Sequence, residues 1–272
     1  MHALPLALLT LLPKLGMAIL KCENAGPQSP RDITVQAGSN PIEFPSAPPA
    51  QKMNLCNIHT HTNAEHKGED YRIPRGTGDF GGFGCNSGIK LSKKELENRE
   101  DPSPFANVKP GDSIEVHWVY TTCNTTPGVG LDACVPPGCE SPKLRVEAQV
   151  FLLVNNPKAA QFQDYVGLVS RNGFHQSSKL PTGTGEPVIY LGSTTGTCFD
   201  DKICSPAQVT WSVRPFCQEL DISSLYRWAQ SGNVFKETAS HGSRALVTNP
   251  AHLSKILSEN QVTPRVETKS EQ

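Results

Sequence analysis

No stretch of the 272-residue chain stays apolar for the roughly eighteen positions that a membrane helix requires. The one long apolar run, near the N-terminus, is broken by Pro13 and Lys14. An excess of either charge is missing too. The 25 Lys and Arg residues are scattered and balance 26 Asp and Glu to a net charge of −1, so nothing resembles the basic footprint of a nucleic-acid or acidic-membrane partner. None of the nine cysteines forms a C-x-x-C pair, which argues against zinc held by thiolate pairs. The glycines from Gly76 to Gly84 are followed by no G-K-[ST], so they read as a surface loop and not a phosphate cradle.

What is present points to strands. Twenty-two glycines and twenty-three prolines punctuate short runs such as "VEAQVFLLV" and "QVTWSV". The expected fold is mainly β: one domain on a large central, mostly antiparallel sheet with few short helices. Residues 1–25 read as a leader with an apolar centre but no basic start, and Gly16 and Ala18 offer one cleavage point. Residues 26–50 read as an extended, proline-rich arm, 51–260 as the folded domain and 261–272 as a polar tail. One short helix is expected over 92–99. With Cys22 assigned to the leader, the eight cysteines from Cys56 to Cys217 form an even set, for which at least three disulfides and an exported protein are expected.

Chemistry concentrates in "NLCNIHTHTNAEHKGEDY", residues 54–71, where three of the chain's eight histidines and a glutamate fall between His59 and His66. On a strand, residues i and i+2 share a face, so His59 and His61 can hold one metal ion together. The segment "GDSIEVHWVY" alternates as a second strand, with Glu115 and His117 on one face. His117 is the natural third ligand. Three neutral imidazoles and an open position form the donor set of catalytic zinc, which brings the pKa of bound water from about 15.7 to about 7.

"NIHTHTNAEHKGEDY", "SIEVHWVY", "YLGSTTG" and "PAQVTWSVRP", taken together, resemble the delta-class carbonic anhydrases from about residue 50 to 250. They are also similar, in the same order, to pieces of the alpha class. The resemblance implies an alpha-carbonic-anhydrase-like sheet and a zinc lyase whose metal-bound hydroxide attacks carbon dioxide to give bicarbonate. It further implies Zn2+ on His59, His61 and His117, and Glu115 fixing a ligand imidazole. Glu65 would take the proton of the orienting Thr194, while Val119, Val209 and Trp211 would form an apolar substrate wall. His66 is read as a surface residue or a support behind the ligands, and the proton relay stays open among His66, His175 and His241. Two departures from the alpha pattern stand out: a longer interval before His117, and Gly196 where the alpha class has prolines.

Other readings compete. H-x-H-x-x-x-E in "HTHTNAE" also fits the first motif of cupin-like metal oxygenases, in which Glu65 would bind the metal directly. A secreted metal-binding protein without catalysis is the third. No motif fixes the oligomeric state.

Overall fold

The computed structural model describes residues 20–100 and 102–258. Most of the expected leader, residues 1–19, and the whole expected tail, 261–272, lie outside the described residues. The strands are β1 (Leu20–Lys21), β2 (Asn54–Thr62), β3 (Tyr71–Pro74), β4 (Phe83–Cys85), β5 (Ser113–Thr121) and β6 (Leu144–Val154), then β7 (Leu168–Arg171), β8 (Phe174–Ser177), β9 (Val188–Ser193), β10 (Ile203–Cys204), β11 (Gln208–Val213) and β12 (Gln218–Asp221). Two α-helices are present among the described residues, α1 (Gln163–Val166) and α2 (Ile222–Gln230).

The central sheet has six strands in the order β2-β5-β6-β11-β9, with β12 continuing alongside β6. Pairs β2/β5, β5/β6 and β9/β11 are antiparallel, whereas β6 pairs in parallel with both β11 and β12. The fold is therefore mainly β on a large, mostly antiparallel sheet, as the turn-punctuated runs imply. Period-two alternation decides what each face meets. Ile58, Ile114, Val116, Trp118 and Tyr120 enter one core together with Leu225 and Trp228 of α2. Val119, Val146, Ala148, Val209 and Trp211 enter a second core on the other face. Helix α2 forms because Ile222, Leu225, Tyr226 and Ala229 recur at helical spacing and are all buried.

The helix expected over 92–99 is a single turn. Ser92 and Glu95 bond each other reciprocally, as at a helix start, through Ser92 N to Glu95 Oε2 (2.8 Å) and Glu95 N to Ser92 Oγ (3.3 Å). The charged run that follows offers no apolar stripe to bury, so the helix does not propagate. The extended arm is packed down at its start, where Gln28, Ser29, Arg31 and Ile33 are buried. The glycine-rich stretch joins β3 to β4, and Gly82 there needs its residue type: its φ is +102°, and a Cβ would meet the Ala64 carbonyl oxygen.

Four disulfides join Cys22–Cys204, Cys56–Cys134, Cys85–Cys217 and Cys123–Cys139. Three fall within the expected set, and two of them pin the loop between β5 and β6. Membership differs in one respect: Cys22 is bonded and Cys198 is free and exposed. Pairing of β1 with β10 brings Cys22 beside Cys204. Such a disulfide complement fits an oxidising compartment. No helix among the described residues is long and apolar enough to cross a membrane.

Candidate metal centre

Antiparallel pairing of β2 with β5 sets His59 opposite His117 and His61 opposite Glu115. All four side chains therefore emerge on one face of adjacent strands, and the ligand atoms of His59, His61 and His117 lie within 4.8 Å of one another. His59 Nε2 and His117 Nδ1 are 3.2 Å apart. Nitrogens placed tetrahedrally at about 2.0–2.1 Å from zinc would stand roughly 3.3 Å from each other, so the spacing suits that ion.

Each imidazole is turned by a hydrogen bond on its other nitrogen. His59 Nδ1 pairs with Asn57 Oδ1 (2.7 Å), His61 Nδ1 donates to the Gly242 carbonyl (2.9 Å), and His117 Nε2 meets Glu115 Oε1 (2.9 Å). His61 Nε2 is left buried without any partner. A buried ring nitrogen with no hydrogen-bond partner fits the part of a metal ligand. Burial, reinforced for His59 by His117, His61 and His241, holds the His59 ring well below the usual histidine range. Burial also lowers His61, against the opposing pull of Glu65. Both rings are thus neutral at pH 7, the state in which imidazole binds metal.

Behind this trio, Glu115 is fully buried and accepts from His66 Nδ1 (2.6 Å), His117 Nε2 (2.9 Å) and the His66 backbone N–H (3.0 Å). Burial alone would push its carboxyl up; His66 and His117 override that and hold it well below the carboxylate range. His66, read on sequence as a surface residue or a support behind the ligands, is 0 % exposed, and its Nε2 is 2.7 Å from the Tyr190 hydroxyl. That placement makes it a support for Glu115. Since the facing atoms of His66, Glu115 and His117 already bond one another, this second triad has no free donor set.

The cleft over the three histidines measures about 260 Å³ and is lined by Val119, Val209, Trp211 and Thr194, with Val146, Leu144 and Leu131 completing its apolar wall. Trp211 stands edge-on to His117 at 5.0 Å and is anchored through Nε1 to the Ser193 carbonyl (2.9 Å). Thr194 and Glu65 are not joined to each other. The Thr194 hydroxyl pairs with Ser205 Oγ at 2.6 Å. Glu65 Oε1 accepts the Arg244 backbone N–H (2.7 Å) and lies 3.5 Å from His61 Nδ1, while its buried Oε2 has no hydrogen bond. At the rim, His241 Nε2 bonds Glu237 Oε2 (2.8 Å), and that bond raises the ring's pKa. Asn57, Gly242, Ser205 and Glu237 are the participants that sequence reasoning missed.

The sequence model of the delta carbonic anhydrases matches residues 50–224, more than half of the chain. No curated protein matches. Among solved structures, an alpha-carbonic anhydrase from Thermovibrio ammonificans in complex with the inhibitor sulfanilamide is similar over 85% of this chain and 87% of that chain, at 12% identity and a TM-score of 0.34.

Proposed function

The chain belongs to the delta carbonic anhydrase family, and from that premise we propose that His59, His61 and His117 hold a zinc ion for the reversible hydration of carbon dioxide to bicarbonate and a proton. One observation carries this reading: three imidazoles, each fixed from behind, turn nitrogens toward one point, with His61 Nε2 buried and unbonded. Zinc bound there would act as a Lewis acid and make hydroxide available near neutral pH.

The residues of the chain do the rest. Glu115 fixes the His117 ring and, by accepting its Nε2–H, makes Nδ1 a better donor. Thr194 faces the cleft and orients the nucleophile through its hydroxyl, with Ser205 as the partner that sets the hydroxyl's direction. Glu65 remains the second acidic participant, its free Oε2 being the acceptor closed off from solvent. Val119, Val209 and Trp211 supply a wall without charge, suited to a substrate with no dipole. Among the three histidines open as proton carriers, His66 is sealed in and His175 lies outside the cleft lining. His241, with 53% of its side chain exposed at the rim, is the one we assign. Export of the protein through its N-terminal leader completes the reading, in keeping with the four disulfides.

The cupin-like alternative loses its ligand. Glu65 sits against His61 Nδ1, the nitrogen already donating to Gly242, and not beside the unbonded Nε2. Metal analysis combined with stopped-flow carbon dioxide hydration tests the proposal. About one zinc per chain and activity lost with it are expected. A folded protein that takes up zinc at these histidines and hydrates no carbon dioxide would sink the catalytic part.

A further inference from the structure

Away from the cleft, three more metal-ligating atoms converge. The sulfurs of Cys22 and Cys204 and a ring nitrogen of His252 lie within 4.8 Å of one another. The sulfurs form the disulfide that joins β1 to β10. His252 closes a short 3-10 turn, Pro250–His252, whose start is capped by Asn249 accepting from the Ala251 N–H. Its carbonyl also accepts the Gln28 N–H at 2.7 Å, so backbone bonds fix where the ring stands. The ring's Nδ1 is nevertheless buried with no hydrogen-bond partner. A buried polar atom left unpaired is costly, so its position calls for a reason. The Asp200 carbonyl oxygen, which accepts from Arg244 Nη2 at 3.2 Å, lies 3.7 Å from Cys22 Sγ.

We propose that Cys22, Cys204 and His252 form a second metal site, for zinc or a similar thiolate-seeking divalent cation, which becomes available when the disulfide is reduced. Two sulfurs and an imidazole are a donor set that zinc favours, with water completing four-coordination. A dithiol reductant delivers two electrons and two protons, the S–S bond breaks into two thiols, and the reductant leaves as a cyclic disulfide. The cation then displaces both thiol protons and takes the lone pair of the His252 ring nitrogen. Oxidation and metal binding exclude each other here because both consume the same sulfurs. Either one ties β1 to the stretch beside Ser205, whose N–H donates to Gln28 Oε1 at 2.8 Å and whose hydroxyl meets Thr194. The site contains none of the cleft residues and does not depend on the catalytic reading.

Zinc-dependent protection of thiols tests it without measuring activity. The full chain is treated with a dithiol under anaerobic, non-denaturing conditions, freed of reductant, and alkylated with and without added zinc; each cysteine is then followed by peptide mass spectrometry. Zinc should slow alkylation of Cys22 and Cys204 about tenfold or more, since thiolate bound to metal is withdrawn from the electrophile. Cys123 and Cys139 should be unaffected, and His252→Ala should lose most of the protection while still forming the Cys22–Cys204 bond on reoxidation. Equal alkylation rates with and without zinc overturn the proposal. So does full protection in His252→Ala, or a Cys22–Cys204 bond that opens only when circular dichroism shows the chain unfolding.

Discussion

Strand β5 presents two faces of opposite character over the same nine residues. Toward α2 it turns Ile114, Val116, Trp118 and Tyr120; the opposite face carries Ser113, Glu115, His117 and Val119, of which His117 and Val119 line the cleft. Burial does not distinguish them, since every residue of the strand is buried. What differs is direction. The apolar face is stabilised by area, at about 25 cal/mol per Å², and a side chain of similar volume would serve nearly as well. The cleft face is a set of assigned atoms: Ser113 Oγ takes the Cys85 N–H (2.9 Å), Glu115 takes three donors, and His117 is bonded on one nitrogen and free to ligate on the other. There an unpaired group costs several kcal/mol, and no neighbour of similar size can replace it. Errors on one face should cost stability, and errors on the other should cost function.

Adjacent residues on β5 put that separation to the hardest test. His117→Ala should abolish zinc uptake and nearly all carbon dioxide hydration, read by metal analysis and stopped flow. Trp118→Ala, one position along, should instead lower unfolding free energy by about 3–5 kcal/mol in a denaturant titration while each folded molecule keeps its zinc. If Trp118→Ala loses the metal and stays stable, the two faces are not independent. Thr194→Ala should leave zinc content near normal and reduce turnover by roughly ten to a thousandfold. Ser205→Ala should move turnover in the same direction, and an unchanged rate would show that the Thr194–Ser205 bond has no part in orientation. His241→Ala should reduce turnover in weak buffer and recover with added imidazole; recovery that fails points to another proton carrier. Glu115→Gln should weaken zinc binding about ten- to a hundredfold, measured by competition with a chelator.

Acid provides the gentlest test. His59 and His61 are held below the ordinary histidine range, so the unfolded chain binds more protons than the folded one as pH drops toward 6 and below. Metal-free protein should therefore lose stability as pH falls through about 6.5, the unfolded histidine value. The depressed carboxyl of Glu115 contributes stability that is present above about 4.5 and is lost as pH falls further toward its folded value. Melting temperatures between pH 7 and 4 should show the first loss flattened when His59 and His61 are replaced by alanine. A pH-independent midpoint in the unsubstituted protein would contradict both assignments.

Side chains that repeat with the period of their strand were legible in sequence. H-x-H on β2 and E-x-H on β5 place three histidines and a carboxylate on one face by arithmetic, and the apolar residues between them mark the opposite face. Contributions from main-chain atoms were not. The Gly242 carbonyl that turns His61 comes from 181 residues away, and a carbonyl oxygen has no signature in residue type. Ser205 was hidden for a related reason: its partner Thr194 is eleven positions off across an irregular loop. Membership of the disulfide set depends on where a leader ends, which no residue type marks, and the charged run at 92–99 reads as helical because local propensity is visible in sequence while a missing packing partner is not.

Between His61 and His117 the chain runs through a glycine-rich hairpin, a charged turn and one irregular connection, yet the two strands meet with His59 opposite His117 in fixed register. Insertions and deletions should consequently meet two regimes. Residues added around Gly76–Gly78, where a new side chain would meet open space, leave the strand pairing untouched and should be absorbed at little cost. One residue removed from within β2 or β5 shifts parity: past the deletion, imidazoles rotate into the apolar core and isoleucine or tryptophan into the cleft. Length is thus free to drift along the backbone route, while across the 5 Å or so between neighbouring strands the reading frame of the sheet is locked.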